Sequence, residues 1–239
     1  MRSANYGAIV ERDPSTLANQ LLSHADQNGP PVDLNSILES ENITTVYAPL
    51  EETGYLLDQK GKFASILVNE KTVASQRSRF TLAHELGHWI LHRFAEKALE
   101  MGPPVREATH DEVEHWCDRF AAELLLPSGW LKRFAGQFEQ IGRSDIILGG
   151  PEVFGVSREA FYLRLEEIYR ILVAEITVSG KLTYWSREPP TDPNAWNQLS
   201  GRISETEYGL LESGPICKGP MKVLLSGRPR WTVVIVRSK

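Results

Sequence analysis

The chain has 239 residues, of which 41% are hydrophobic and 24% charged. That is room for one or two domains at about 100–200 residues each and enough apolar surface for a real core, which excludes disorder over the whole length. A formal charge of −5 argues against direct nucleic-acid binding as the main activity. No apolar run approaches the roughly 20 residues of a membrane-spanning helix. Two cysteines, Cys117 and Cys217, cannot make a disulfide framework. No apolar leader follows Met1-Arg2-Ser3, so a cytoplasmic protein is expected.

In chain order, residues 13–40 read as two helices around a Gly29-Pro30-Pro31 break. From Ile43 to Asn69 three β-rich segments follow: Thr44–Tyr47, Gly54–Leu57 and Ala64–Val68. Turn residues separate them, which predicts a small antiparallel sheet. From Ser75 to Arg93 the period is helical, with Phe80, Ala83, Gly87, Ile90, Leu91 and Phe94 on one face. Gly102-Pro103-Pro104 breaks the chain. Thr109 and Glu112 match a capping box that starts another helix, ending at Pro127. Ser128 predicts a short helix to Phe138, Gly149-Gly150-Pro151 a further break, and Ser157 the cap of a helix to about Leu172. Beyond that, Ser179-Gly180 joins one β-hairpin and Ser226–Arg230 a second. The expected division is residues 1–172 as an α+β domain and 173–239 as a β-rich appendage.

The chemistry concentrates in His84-Glu85-Leu86-Gly87-His88. On a helix, positions four apart lie about 40° round and about 6 Å along the axis. Two imidazoles so placed can grip one metal ion, and neutral imidazole is a good zinc ligand. Glu85 lies about 100° from His84, close enough to act as a general base on water without being a ligand. A chance match is the competing explanation. Three features weigh against it: the amphipathic helix, the small Gly87 beside His88, and a strand-like segment just before. Ile66, Val68 and Asn69 on that segment are the expected substrate-binding strand, through pairing of an extended peptide with a sheet edge.

A catalytic zinc needs a third protein ligand and one open position. His92, Glu96, Glu100, Glu107, His110, Asp111, Glu112, Glu114, His115 and Asp118 are available downstream. His92, one turn further on, is poorly placed. Glu114 and Asp118 form an acidic pair four apart beside apolar Cys117 and Ala121. A cation would explain such a pair, with Glu114 as ligand and Asp118 accepting from the other ring nitrogen of a ligand histidine.

The run Phe80–His92, with Glu114-x-x-x-Asp118-x-Phe120-Ala121-Ala122-Glu123-Leu124-Leu125-Leu126-Pro127, resembles the ImmA/IrrE family of zinc metallopeptidases. Pro31–Leu34, Gly54–Leu56, Ile66–Asn69, Arg77–Arg79, Val156–Ala160 and Arg164-Leu165 extend the resemblance over about residues 15–170. It implies a zincin-like, gluzincin-type core in which His84, His88 and Glu114 hold Zn²⁺ and Glu85 is the base. Manganese or iron could occupy the same donors. It also implies a protein substrate, a helix-turn-helix repressor encoded nearby, whose cleavage derepresses mobile-element or stress-response genes. Trp116 departs from the family pattern by replacing a second acid, and Asp118 replaces an Asn. His115 and Tyr162 are candidate oxyanion donors.

The competing function is a zinc-stabilised interaction module that partners a DNA-binding regulator or a toxin–antitoxin component without proteolysis. Glu85 argues against it, since a structural site needs no base and usually has four protein ligands. A third reading is a peptidase of short peptides. Cys117 reads as a buried structural thiol. Six basic residues and no acidic ones follow Ser213, most simply a solvated sheet face.

Overall fold

The computed structural model describes residues 10, 12–58, 64–72, 75–101, 108–141, 144–169, 171–177, 182–184, 211–212, 221–226 and 230–237. The chain forms two compact units: Met1–Trp130 with Val153–Val156, and Leu131–Glu152 with Ser157–Lys239. The turns expected at Gly102–Pro104 and Ser179-Gly180, and Cys217, lie outside the described residues.

In the first unit, α1 (Pro14–His24) and α2 (Leu34–Ser40) start at aspartates. Asp13 accepts from the Ser15 N–H at 3.1 Å and Asp33 from the Ser36 N–H at 3.2 Å. Each satisfies a helix donor that would otherwise face water alone. Leu17, Leu21 and Leu22 of α1 turn inward, as do Ile37 and Leu38 of α2. Asn42, at φ 57, makes the left-handed turn from α2 into the sheet.

Strands β1 (Ile43–Ala48), β2 (Gly54–Asp58) and β3 (Ala64–Asn69) follow. Their order is β1-β3-β2. β2 runs antiparallel to β3, but β1 runs parallel to it. The sheet is therefore mixed rather than wholly antiparallel. The chain passes from β1 to β2 across one vacant position, which β3 then fills. β3 is bonded on both sides, and its Ala64, Ile66 and Val68 are buried.

α3 (Gln76–Met101) lies on the sheet against β2 and β3, and α4 (His110–Leu125) packs on α3 and α1. α4 begins with the expected capping box: Thr109 Oγ1 accepts from the Glu112 N–H at 3.3 Å and Glu112 Oε2 from the Thr109 N–H at 2.8 Å. Gly87 lets the two helices approach. A Cβ there would stand 3.2 Å from the Phe120 ring and 3.3 Å from the Cys117 Cα. Leu86 and Leu91 of α3 and Phe120 and Leu124 of α4 are fully buried, worth about 1.5–3 kcal/mol each against exposure. Trp116, also buried, stacks on Phe120 at 5.4 Å and donates its indole N–H to the Arg12 carbonyl at 3.0 Å, tying α4 to the segment before α1.

The second unit takes in nearly all of α5 (Ser128–Ile141), then α6 (Ser144–Phe154) up to Glu152 and α7 (Arg158–Tyr169). Gly149-Gly150-Pro151 does not break the chain, because α6 runs through it with Pro151 inside. Gly150 is there for packing: a Cβ would collide with the Phe161 ring of α7. Ser157 caps α7, accepting from the Ala160 N–H at 3.1 Å. The change from helix to strand expected near residue 172 falls between Tyr169 and Ile171. β4 (Ile171–Thr177), β5 (Leu182–Tyr184), β6 (Leu211–Glu212), β7 (Met221–Ser226) and β8 (Arg230–Arg237) form an antiparallel sheet of order β5-β4-β8-β7-β6. Both expected strand pairs occur, and β4–β8 pairing joins them.

Candidate metal centre

α3 and α4 bring His84, His88 and Glu114 together, with one ligand atom from each within 4.8 Å of the others. His84 Nε2 stands 3.2 Å from His88 Nε2 and 3.3 Å from Glu114 Oε2, and His88 Nε2 stands 3.4 Å from Glu114 Oε1. With bonds of about 2.0–2.1 Å, the edge of a tetrahedron around Zn²⁺ is roughly 3.3–3.4 Å. Glu114 meets the two rings with different oxygens, and each of the three contacts in this donor triangle has about the length of such an edge. These residues fit a cation with one position left open.

Asp118 lies one turn beyond Glu114 and its Oδ1 accepts from His84 Nδ1 at 2.9 Å. A carboxylate can only accept, so the His84 proton is on Nδ1 and the Nε2 lone pair faces the triangle. Burial favours the neutral ring of His84. The Asp118 hydrogen bond and charge, with the charges of Glu85 and Glu114, outweigh it and raise the ring above its ordinary 6.5. His88 goes the other way. Burial, then the neighbouring His84, push it down to about 4, so its lone pair is free at neutral pH.

Glu85 is buried at 9% exposure. Burial raises its carboxyl above the usual range, opposed by His84 and by the backbone of Leu56. Leu56 belongs to β2. Gly54, at the start of the same strand, makes the approach possible: a Cβ there would collide with Thr81 and lie 3.0 Å from the Leu67 carbonyl oxygen. At the other end of β2, Asp58 Oδ2 lies 3.3 Å from His92 Nδ1. β2 thus follows α3 from Thr81 past Glu85 to His92. Neither this contact nor the His92–Asp58 pair is visible in the pattern of either segment. The repeated spacing of Gly54, Leu56 and Asp58 is the only trace.

The expected substrate strand needs correction. Ile66 and Val68 are fully buried, and β3 has no open edge. Asn69 is spent on its own chain: its side-chain amide donates to the Leu50 carbonyl at 2.7 Å and the Glu52 carbonyl at 3.1 Å. The expected oxyanion donors fare no better. His115 is exposed and lines a shallow cavity with Glu112, Trp116 and Arg119, whose lining includes none of the three donors. Tyr162 is 1% exposed, with its ring edge-on to Phe161. The histidine beside the triangle is instead His110, 3.7 Å from Glu114 Oε1. Cys117 is fully buried, and burial, then the charges of Glu114, Glu85 and Asp118, raise its thiol far above the ordinary value.

A zincin-like α+β core with two histidines on one helix and a glutamate on the next defines a metallopeptidase-type protein. The chain belongs to the peptidase family described as the IrrE N-terminal-like domain, Peptidase_M78, whose model matches residues 38–166, more than half its length. No curated protein matches it. Among solved structures, a Mycobacterium tuberculosis transcriptional regulator is similar in fold, with a TM-score of 0.53 and 13% identity over 94% of this chain and 87% of that one. No helix among the described residues is long and apolar enough to cross a membrane.

Proposed function

We propose that the protein is a zinc-dependent endopeptidase with His84, His88 and Glu114 as metal ligands and Glu85 as general base. One observation carries this reading: two imidazoles and the Glu114 carboxylate at contacts close to a tetrahedral edge in length, beside the buried Glu85 on the helix that bears both histidines. The cation, when bound, supplies Lewis acidity, which polarises a carbonyl and draws the pKa of water down to about 7. The chain's own residues do the rest. Asp118 holds the His84 ring with its lone pair inward. His88 needs no deprotonation near neutral pH. Glu85, partly desolvated and so more basic than an ordinary carboxylate, takes a proton from the attacking water and returns it to the leaving amine. The substrate backbone lies along the edge of β2, which adjoins Glu85, instead of β3.

Two histidines and a carboxylate suit zinc, and manganese or iron would use the same donors. The substrate proposed is a helix-turn-helix repressor encoded nearby, cut in the cytoplasm to release stress-response or mobile-element genes. The family resemblance supports that choice. The test is incubation of the zinc-loaded protein with the repressor from the adjoining gene, with and without chelator, followed by mass analysis. Chelator-sensitive fragments are expected. An intact repressor in the presence of bound zinc would favour the non-proteolytic interaction module.

A further inference from the structure

β2 is the strand that both contacts α3 and, among the described residues, has an open edge. Its backbone alternates in direction. The Thr53 carbonyl, just before it, accepts from the Asn69 N–H at 3.0 Å, so odd residues turn toward β3. Even residues turn to the open edge, and the first of them, Gly54, stands against Glu85, whose Cγ lies 3.6 Å from where a Cβ would be. Side chains alternate about the other axis. Leu56 and Asp58 share the face that packs on α3, while Tyr55 and Leu57 lie on the outer face. There they are 44% and 54% exposed. Tyr55 is opposite Leu67, and Leu67 is opposite Val46, itself 42% exposed. A single exposed Leu is ordinary. An apolar strip beside an open edge that leads to a buried carboxylate is not.

We infer that Tyr55 and Leu57 determine sequence preference: they select an extended polypeptide segment with apolar side chains at two positions separated by one residue. The segment adds to the open edge of β2. Its residues opposite Tyr55 and Leu57 point to the outer face, within cross-strand contact of them. The residue between points inward, toward α3. This inference rests on the peptidase reading above, and it adds the side-chain chemistry of the substrate to it.

The test uses the zinc-loaded full chain and three probes: acetohydroxamate, a hydroxamate-capped hexapeptide with Leu at two alternate positions, and the same peptide with Asp there. Affinity is measured by calorimetry. The Leu peptide is expected to bind about five- to tenfold more tightly than the Asp peptide. Tyr55→Ser/Leu57→Ser is expected to erase that difference and leave acetohydroxamate affinity unchanged. Leu57→Lys is expected to shift preference toward the Asp peptide, a gain that misfolding cannot imitate. Equal binding of the two peptides to the wild type, or discrimination that survives the double substitution, overturns the inference while acetohydroxamate binding leaves the metal site standing. Failure of acetohydroxamate to bind would overturn both.

Discussion

β2 and β3 lie side by side against the same helix and have opposite characters. β3 is bonded on both flanks and buries Ala64, Ile66 and Val68. β2 is bonded on one flank, exposes Tyr55 and Leu57, and starts at Gly54 close against Glu85. Hydrophobic patterning points to the strand that holds the core. The chemistry proposed above is placed beside the other one, because a substrate can pair only with an edge that is not already paired. A strand rich in Val, Ile and Leu is poor evidence for a binding strand, since the same richness marks a strand covered on both sides.

The predictions test that contrast between an edge strand tied to the site and a central strand tied to the core. The largest effect is expected from Glu114→Ala. It removes one corner of the donor triangle, so metal analysis should find the zinc stoichiometry lost and peptide cleavage gone. Zinc retained at full stoichiometry would break the ligand assignment. Asp118→Ala leaves the triangle but frees the His84 ring. It should cost about 10–100-fold in zinc affinity, read by competition with a chromophoric chelator. Affinity within twofold of wild type would mean that the ring needs no such support.

On the strands themselves, Gly54→Val should force β2 off Thr81 and the Leu67 carbonyl, and lower kcat at least tenfold with zinc still bound. Ser65→Val on the outer face of β3 should change neither activity nor stability by more than about 0.5 kcal/mol. Equal losses from the two would erase the distinction. Gly87→Ala should destabilise by about 1–3 kcal/mol in urea, since Phe120 and the Cys117 backbone must move apart. The smallest effect is in the pH dependence. His84 is raised above 6.5, so near that pH the metal-free ring is mostly protonated and zinc must displace the proton. Affinity should therefore fall as pH drops through that range, with proton release on binding seen as a buffer-dependent heat. Asp118→Ala should reduce that release, and unchanged release would contradict the assigned cause.

The helices were largely legible in the sequence because their signals are local. Asp13, Asp33, Thr109 with Glu112, and Ser157 each cap within three residues of where they sit. The spacing of His84, Glu85 and His88 is likewise a property of one helix, and the acidic pair on α4 stood out because charges beside Cys117 and Ala121 need a partner. Strand order is not local. Nothing in Thr44–Tyr47 shows that it runs parallel to β3, nor does Gly54–Leu57 show that its far edge stays open. Gly149-Gly150-Pro151 reads as a break, although α6 runs through it, for the same reason. Gly150 answers to the Phe161 ring eleven residues on, and no local rule contains that contact. His110 and His115 stand on one helix, yet five residues separate them by about 140° and put them on different faces.

The central claim is that α3 and α4 build a catalytic centre in which Glu85 is the base. Glu85→Gln tests it most directly, with zinc content and cleavage of a quenched peptide library measured on the same preparation. The account predicts one equivalent of zinc in both proteins, chelator-sensitive cleavage by the wild type and none by the variant. A zinc-loaded Glu85→Gln protein that still cuts the library would contradict it.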